Sequence, residues 1–294
     1  MEKAVYHLPG LFEFYDFYRK FLPIYREKTE YFYDWCQIGS LYGAPADCLW
    51  AGGRVSTGNA DPRQVLALTE GYGLSARLTF SNSLLRPEHL KNPKCNRLCA
   101  LFGTEPGNGV IVHSELLLDY LKEKYPNFYF VSSTTKVLTD FEDLAAETER
   151  PDFRYVVPDF RLNKAFDRLG GLKEKRKVEF LCNECCWPGC RERKACYENV
   201  SRKNLGEHCP DHICAAPEGE KGYRFSAAMK NPAFIGIRDI RETYLPMGFS
   251  QFKIEGRGLG SAMLLEFILY YLTKPEYQLP LREEMYLDSM LDLF

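Results

Sequence analysis

Short apolar runs alternate with helical patterns along most of this 294-residue sequence. The runs are typical of buried strands, and several of the helical segments open on Asp, Ser or Asn, which suit an N-cap. The strand patterns lie at residues 35–43, 74–82, 109–114, 128–134, 154–159, 177–184, 233–237 and 251–256. Strands that alternate with helices pair in parallel. Eight such units in about 240 residues predict a closed (β/α)8 TIM-type barrel. An open doubly wound sheet is the alternative, but IGSLYGAP has no G-x-G-x-x-G turn.

The flanking segments are predicted to complete one domain over residues 1–294. Aromatic residues at helical spacing (Phe14, Tyr18, Phe21, Tyr25) predict an N-terminal helical segment over residues 1–34. The barrel is predicted at 35–272, with an insertion at 185–232 after the sixth strand pattern and a C-terminal tail at 273–294. Connections this long are usually functional or disordered.

Charge and hydropathy narrow the function classes. The net charge is -2, so no basic field attracts nucleic acid or an anionic membrane. The N-terminus does not resemble a signal peptide, and the apolar run SAMLLEFILYYL is interrupted by Glu266 and too short to span a bilayer. We therefore expect a cytoplasmic protein with no membrane span, in which thiols stay reduced and a disulfide framework is disfavoured.

Residues that follow the strand patterns should meet at the C-terminal face of the barrel, where active sites form. Charged groups in an enclosed barrel mouth must form ion pairs or take part in ligand binding, whereas uncharged polar groups can be simple helix caps. The turn EGRGLGS also resembles an anion cradle in front of a helix. Glu184, Glu255 and Arg257 are the predicted catalytic residues. The predicted substrate-binding residues are Tyr42, Arg54, Asn82, Asn183, Gly256 and Gly258.

The stretch LCNECCWPGCRERKAC places five of the eleven cysteines within residues 181–196. A disulfide knot, a metal or iron–sulfur site and a set of reactive thiols are the possible explanations. A zinc ribbon normally has two separated CxxC pairs, whereas only Cys182 and Cys185 form one here. Cys186 and Cys190 are spaced as a ligand pair, and His208, Cys209, His212 and Cys214 follow in the same insertion.

Two segments resemble the collagenase-like peptidase family: FIGIRDIRETYLPMGFSQFKIEGR and KVEFLCNECCWPGC. Members such as the ubiquinone, transfer-RNA and ribosomal-RNA hydroxylation proteins carry a [4Fe–4S] cluster on four cysteines, one after the first strand and the others after the sixth. The resemblance implies Cys48 as the first of these ligands, Cys186 and Cys190 as a pair, and Cys209 or Cys214 as the fourth.

The leading functional hypothesis is therefore an iron–sulfur barrel enzyme that acts on a small or nucleotide-like substrate. The resemblance implies oxygen-independent hydroxylation. A peptidase is disfavoured, because no Cys/His or Ser/His/Asp arrangement and no HExxH motif can be recognised. One alternative is a barrel stabilised by zinc, with a non-redox or binding role. Another is a non-catalytic protein partner in a heteromeric complex, with the N-terminal helix and EMYLDSMLDLF as contact surfaces.

Overall fold

The computed structural model describes residues 2–53, 58–217 and 222–291, with side chains in the last helix up to residue 286. Within these residues, eight parallel strands form one sheet in the order β6-β5-β4-β3-β2-β1-β8-β7. A parallel bridge from Val156 to Val178 joins the two ends of the sheet, so the barrel is nearly closed. The predicted TIM-type barrel is confirmed. The strands are β1 (Ala4–Pro9), β2 (Cys36–Gly43), β3 (Ser75–Phe80), β4 (Gly109–Val112), β5 (Tyr129–Ser132), β6 (Phe153–Val156), β7 (Glu179–Leu181) and β8 (Gln251–Lys253).

Helices alternate with the strands, as the sequence pattern predicts. A π-helical turn at Ile240–Tyr244 continues α9. The helices are α1 (Tyr15–Glu27), α2 (Pro62–Gly71), α3 (Pro93–Phe102), α4 (Glu115–Lys124), α5 (Phe141–Glu149), α6 (Phe166–Leu169), α7 (Arg193–Asn204), α8 (Phe225–Ala228), α9 (Ile237–Asp239), α10 (Ser261–Tyr271) and α11 (Gln278–Leu291). None of the described helices is long and apolar enough to cross a membrane.

The first strand of the barrel differs from the prediction. Residues 4–9 form β1, in a segment that was predicted to be helical, and β1 lies between β2 and β8. The segment contains His7, which weakens its apolar pattern. Inside the barrel His7 is buried, and Ser40 Oγ at 2.8 Å and Gln251 Oε1 at 3.0 Å bond to its ring. The predicted helix follows β1 as α1, and it buries Tyr18 and Phe21.

The strand predicted at 233–237 is not a strand in the structure. The N–H of Ile235 donates to the carbonyl of Cys182 at 3.0 Å, as in a sheet. Ladder formation stops there because Gly236 donates its N–H to the Asp239 carboxylate at 2.9 Å and the chain enters α9. The strand count therefore agrees with the prediction, although one predicted strand is replaced by β1.

The barrel interior has two layers. Towards the C-terminal ends of the strands lies a small apolar cluster of Tyr42, Ile111, Val131, Val157 and Leu181. Below it lies a polar cluster, which we define as His7, Arg77, Glu179 and Lys253. The larger hydrophobic core fills the space between the sheet and the surrounding helices, where α11 contributes Leu281 and Met285.

The long connection between β7 and β8 lies at the C-terminal end of the barrel and contains α7 and α8. Helix α7 packs on the loop after β3, where Ser201 Oγ accepts the N–H of Ser83 at 3.1 Å. Residues 205–217 of this connection contain neither helix nor strand. The insertion thus reaches the face where the sequence analysis places the active site.

Candidate active site at the barrel mouth

A cavity of about 280 Å³ opens at the C-terminal ends of the strands. Its apolar wall comes from Tyr42, Ile111 and Leu181. Its polar wall comes from the end of β8, the loop after β7 and hydroxyl side chains at the ends of β3 and β5. Six residues that the sequence analysis proposed for the site line this cavity: Tyr42, Glu184, Glu255, Gly256, Arg257 and Gly258. Arg54 lies outside the described residues.

The chain leaves β8 through a tight glycine turn. Gly256 has φ +148°, and a Cβ at this position would lie 2.9 Å from Phe267 Cε2. Both the backbone conformation and the space therefore require glycine. The turn directs Arg257 back across the mouth. A Cβ on Gly53 would lie 1.8 Å from Arg257 Nη2, so the loop after β2 can approach the guanidinium only because it has a glycine there.

Arg257 is held by a carboxylate that the sequence analysis missed. Its Nη1 lies 3.5 Å from Glu13 Oε1, and the Glu13 side chain is fully buried. The Phe12 N–H donates to Glu13 Oε2 at 3.2 Å. Burial raises the pKa of Glu13, while the charge of Arg257 acts in the opposite direction. Glu13 follows β1 directly, so it could have been found only by recognising β1 as a barrel strand.

Lys253 is a second cation that the sequence analysis did not propose. It lines the cavity although only 5% of the residue is exposed. Its Nζ lies 4.1 Å from the centre of the Tyr42 ring and 3.7 Å from Glu179 Oε1. Burial lowers the pKa of Lys253 to about 8, against the attraction of Glu179 and together with the repulsion of Arg77 and Arg257. Lys253 lies inside a predicted strand, and the sequence alone does not show that it faces into the barrel.

The other three members of the polar cluster, His7, Arg77 and Glu179, are tightly paired with one another or with neighbouring side chains. Arg77 Nη1 donates to Glu179 Oε2 at 2.5 Å, and Arg77 Nε donates to Tyr129 Oη at 2.7 Å. Burial opposes ionisation of Glu179. The positive charges of Arg77 and Lys253, together with that of His7 at the low pH where it is protonated, hold the pKa of Glu179 at about 2. Burial and the charge of Arg77 lower the pKa of His7 to about 3. Glu179 is therefore charged and His7 neutral at physiological pH.

Residues 182–192, between β7 and α7, form the cysteine-rich loop. Glu184 is fixed by a buried ionic network at the start of this loop. It is 3% exposed, and Oε1 accepts the N–H groups of Cys185 and Cys186 at 3.0 Å each. Arg193 Nη2 donates to Oε2 at 2.5 Å, and Arg193 Nε lies 3.4 Å from Asp159 Oδ2. Glu184 therefore anchors the loop to α7 and forms part of the cavity wall, and its catalytic role stays a prediction.

The two asparagines join the loops around the cavity. The Nδ2 of Asn183 donates to the carbonyl of Glu255 at 3.1 Å, and its Oδ1 accepts the N–H of Glu255 at 2.7 Å. Asn82 Nδ2 donates to the carbonyls of Leu49 and Ser201 at 3.1 Å each. Both side chains are fully buried, and neither is among the described residues that line the cavity. Their roles in substrate binding stay predictions.

The cysteines implied as ligands lie in different environments. Cys186 and Cys190 are half-buried in the loop between β7 and α7. Cys209 is half-buried beside Asn199 Nδ2 at 3.6 Å, and Cys214 is exposed. Cys48 is buried, and its sulfur lies 3.4 Å from the sulfur of Cys95 on α3.

This arrangement does not bring the four ligands together. In residues 2–53, 58–217 and 222–291, no group of three His, Cys, Asp or Glu side chains is placed to hold a metal ion. As placed here, Cys48 does not fit the ligand set that the resemblance implies, because its sulfur packs against α3. The [4Fe–4S] cluster and the zinc site both stay predictions.

Comparisons with known proteins bear on the fold. No protein-family model matches the chain, and no curated protein matches it either. Among solved structures, one described as the structure of the U32 peptidase Mk0906 matches with a TM-score of 0.55 and 13% sequence identity. The match covers 88% of this chain and 94% of that chain. The chain therefore shares its barrel fold with a U32 peptidase over nearly its whole length.

Proposed function

We propose that this protein is an enzyme whose reaction takes place in the mouth cavity, on a small molecule that carries a carboxylate or phosphate. The observation that carries this proposal is the convergence of two largely buried cations, Lys253 and Arg257, on one cavity. Buried charges are costly unless they are paired or used. The glycine turn at Gly256 and Gly258 adds a backbone that a ligand can approach closely.

The size and chemistry of the cavity narrow the substrate. Its volume of about 280 Å³ lies near the lower end of ligand pockets, which favours a small molecule over a whole nucleotide. Arg257 is suited to bind the anionic group, because a guanidinium matches a carboxylate or phosphate with two donors. Glu255 lines the same cavity and is suited to move a proton at the reacting atoms.

Peptide hydrolysis has less support in this cavity. In the part of the chain that the structure describes, no histidine is among the lining residues. A Ser–His or Cys–His pair is therefore not built there, and nucleophilic proteolysis of that type needs one. The likeness to the U32 peptidase supports the barrel, and the lining residues favour chemistry on a small molecule.

The test is a calorimetric titration of the protein with phosphate, pyruvate and succinate as probes. We expect saturable binding of at least one probe, and Arg257→Gln should weaken it about 10- to 100-fold, the range for a lost charged hydrogen bond. Arg282→Gln is the matched control, because Arg282 pairs with Glu266 at 3.0 Å between α11 and α10. Equal affinities in wild type and both variants would contradict the proposal.

Oxygen-independent hydroxylation with an iron–sulfur cluster is a second candidate. It is favoured by Cys185, which lines the cavity, and by Cys186 and Cys190 in the same loop. A bound cluster would supply electrons beside the substrate. Anaerobic purification with an absorption spectrum and analysis of iron, sulfide and zinc tests it. If the cluster forms, Cys186→Ser should lower the iron content and Cys196→Ser should not. An air-stable zinc content instead would favour the zinc-stabilised barrel, and a metal-free, colourless protein would contradict both.

Cys48 distinguishes the arrangement seen here from the ligand set that the resemblance implies. If Cys48 stays against Cys95, Cys48→Ser should leave the iron content unchanged. Loss of iron in this variant would show that the loop after β2 moves to the cluster. The measurement is iron per protein after anaerobic reconstitution, with Cys95→Ser as the matched control.

A further inference from the structure

Lys253 occupies the position in the barrel where a reactive amine can meet a bound substrate. In the sheet register it lies beside His7 of β1 and Leu181 of β7, at the C-terminal end of β8. Its side chain is buried and still lines the mouth cavity. The adjoining wall is the apolar cluster that includes Ile111 and Leu181. A ligand in the cavity would therefore meet the amine beside an apolar wall.

Lys253 shares the carboxylate of Glu179 with Arg77. Glu179 Oε1 lies 3.7 Å from Nζ, beyond hydrogen-bond distance, and Glu179 Oε2 is engaged by Arg77 at 2.5 Å. The face of Tyr42 covers the amine from β2, and Arg257 approaches from the turn after β8. Two cations and burial thus oppose the ammonium form.

A lysine in such a setting carries a usable fraction of neutral amine. With a pKa of about 8, roughly a tenth of the molecules have an uncharged Lys253 at pH 7. An exposed lysine has about 200-fold less, on the order of one in two thousand. Desolvation and a neighbouring cation are the usual means by which proteins activate a lysine nucleophile.

We propose that Lys253 forms an imine with the carbonyl carbon of a small 2-oxo acid whose carboxylate binds Arg257. The neutral amine attacks the carbonyl carbon, a C–N bond forms, and the C=O electron pair moves to oxygen. The carbinolamine oxygen then leaves as water. In sum, the ammonium form of Lys253 and the carbonyl give a protonated imine and one water, so atoms and charge balance. Glu255, which lines the cavity, is placed to carry the protons between nitrogen and oxygen.

This inference rests on the proposed function, and borohydride trapping tests it separately. The intact wild-type protein is incubated with pyruvate or glyoxylate, reduced with sodium borohydride, digested and mapped by mass spectrometry. We expect Lys253 to gain the mass of the probe acid less one oxygen atom, at a higher yield than Lys173. Lys173 is the internal control, because its side chain is 78% exposed and exposure alone would make it the more reactive lysine.

The variants separate the amine from the anion site. Lys253→Arg should keep the positive charge and lose the adduct. Arg257→Gln should reduce trapping of pyruvate at least 10-fold more than trapping of acetone, because acetone has no carboxylate and reports only the change in the reactivity of the amine. The inference would be overturned if, in the wild-type protein, the yield of the adduct at Lys253 were no greater than at Lys173. That measurement uses only the wild-type protein, so it does not depend on how any variant folds. If calorimetry in that case still detects binding of pyruvate that Arg257→Gln weakens, the proposed function stands and only the imine fails.

Discussion

The two walls of the mouth cavity, the β8 exit and the cysteine-rich loop, are held in different ways. The β8 exit continues a strand of the sheet, and its polar groups are fixed by Asn183, Glu13 and the glycine turn. The cysteine-rich loop is held by a buried ionic network, in which Arg193 joins Glu184 to Asp159, and by side chains that bind its carbonyl groups. Beyond α7, the thiols of the insertion are half-buried or exposed. The first wall is therefore fixed by the sheet itself, whereas the second is fixed by side-chain contacts.

The largest expected effect comes from breaking the network under the cysteine-rich loop. Arg193→Ala removes the buried cation that contacts Glu184 at 2.5 Å, whereas Asp159 keeps its ion pair with Arg161. We expect a loss of about 3–5 kcal/mol in the free energy of unfolding and early proteolytic cleavage within 185–217. Urea denaturation and limited proteolysis measure the two effects. Arg238→Ala removes an exposed pair and should change neither. Equal behaviour of the two variants would show that the network does not hold the loop.

A second prediction addresses the β8 exit. Gly256→Ala should cost about 1–3 kcal/mol, because φ is +148° and the added Cβ would lie 2.9 Å from Phe267. Since the turn directs Arg257, phosphate or pyruvate binding should weaken as well. Gly71→Ala is the control, since a Cβ there meets nothing within 4 Å at the end of α2. Denaturation and calorimetry report both effects, and normal binding in Gly256→Ala would separate the turn from the anion site.

The interior of the barrel predicts a pH dependence. The pKa of His7 falls from 6.5 to about 3 on folding, so the unfolded chain binds more protons between these values. Stability is therefore complete above pH 6.5 and is lost as the pH falls, by up to about 1.4 kcal/mol per pH unit for one proton. Glu179, with a pKa of about 2, adds to the loss only below its ordinary value of 4.5.

Substitution of His7 isolates its contribution. Between pH 6.5 and 4.5, His7→Gln should have a shallower slope of stability against pH than wild type. His113, whose pKa burial lowers to about 4, adds a similar slope to both proteins and cancels in the comparison. Urea denaturation across this range measures the slopes, and parallel curves would mean that His7 is not buried in its neutral form.

The smallest expected effect lies in the outer part of the insertion. Cys214 is exposed, so Cys214→Ser in metal-free protein should change the free energy of unfolding by less than about 0.5 kcal/mol. Denaturation in the presence of a chelator measures it. A larger loss that appears only without the chelator would identify Cys214 as a metal ligand.

The sequence allowed prediction of the barrel and of six of the nineteen described residues that line the mouth, because the strand ends of a parallel barrel converge. Tyr42, Glu184, Glu255 and Arg257 were found because they lie at or just after strand patterns. Glu13 was missed because the apolar pattern of β1 is interrupted by His7, which is satisfied only by partners on β2 and β8.

Lys253 was missed for a different reason. It lies within a strand pattern, where a lysine reads as a solvent-facing residue unless the inward register is known. Conversely, residues 233–237 have the composition of a strand, but the Gly236 to Asp239 hydrogen bond starts a helix there instead. Partners distant in sequence decide the cases of Glu13 and Lys253, and the local pattern does not contain them. The case of residues 233–237 is decided by a hydrogen bond between residues three apart, which a count of apolar residues does not detect.

The most direct test of the central claim is a crystal structure of the protein soaked with pyruvate and reduced with borohydride. We expect electron density in the mouth cavity, with the carboxylate on Arg257 and the former carbonyl carbon joined to Lys253 Nζ. Density for pyruvate on Arg257 without a bond to Lys253 would contradict the imine. An anion bound elsewhere, with both cations facing an empty cavity, would contradict the assignment of the mouth as the active site.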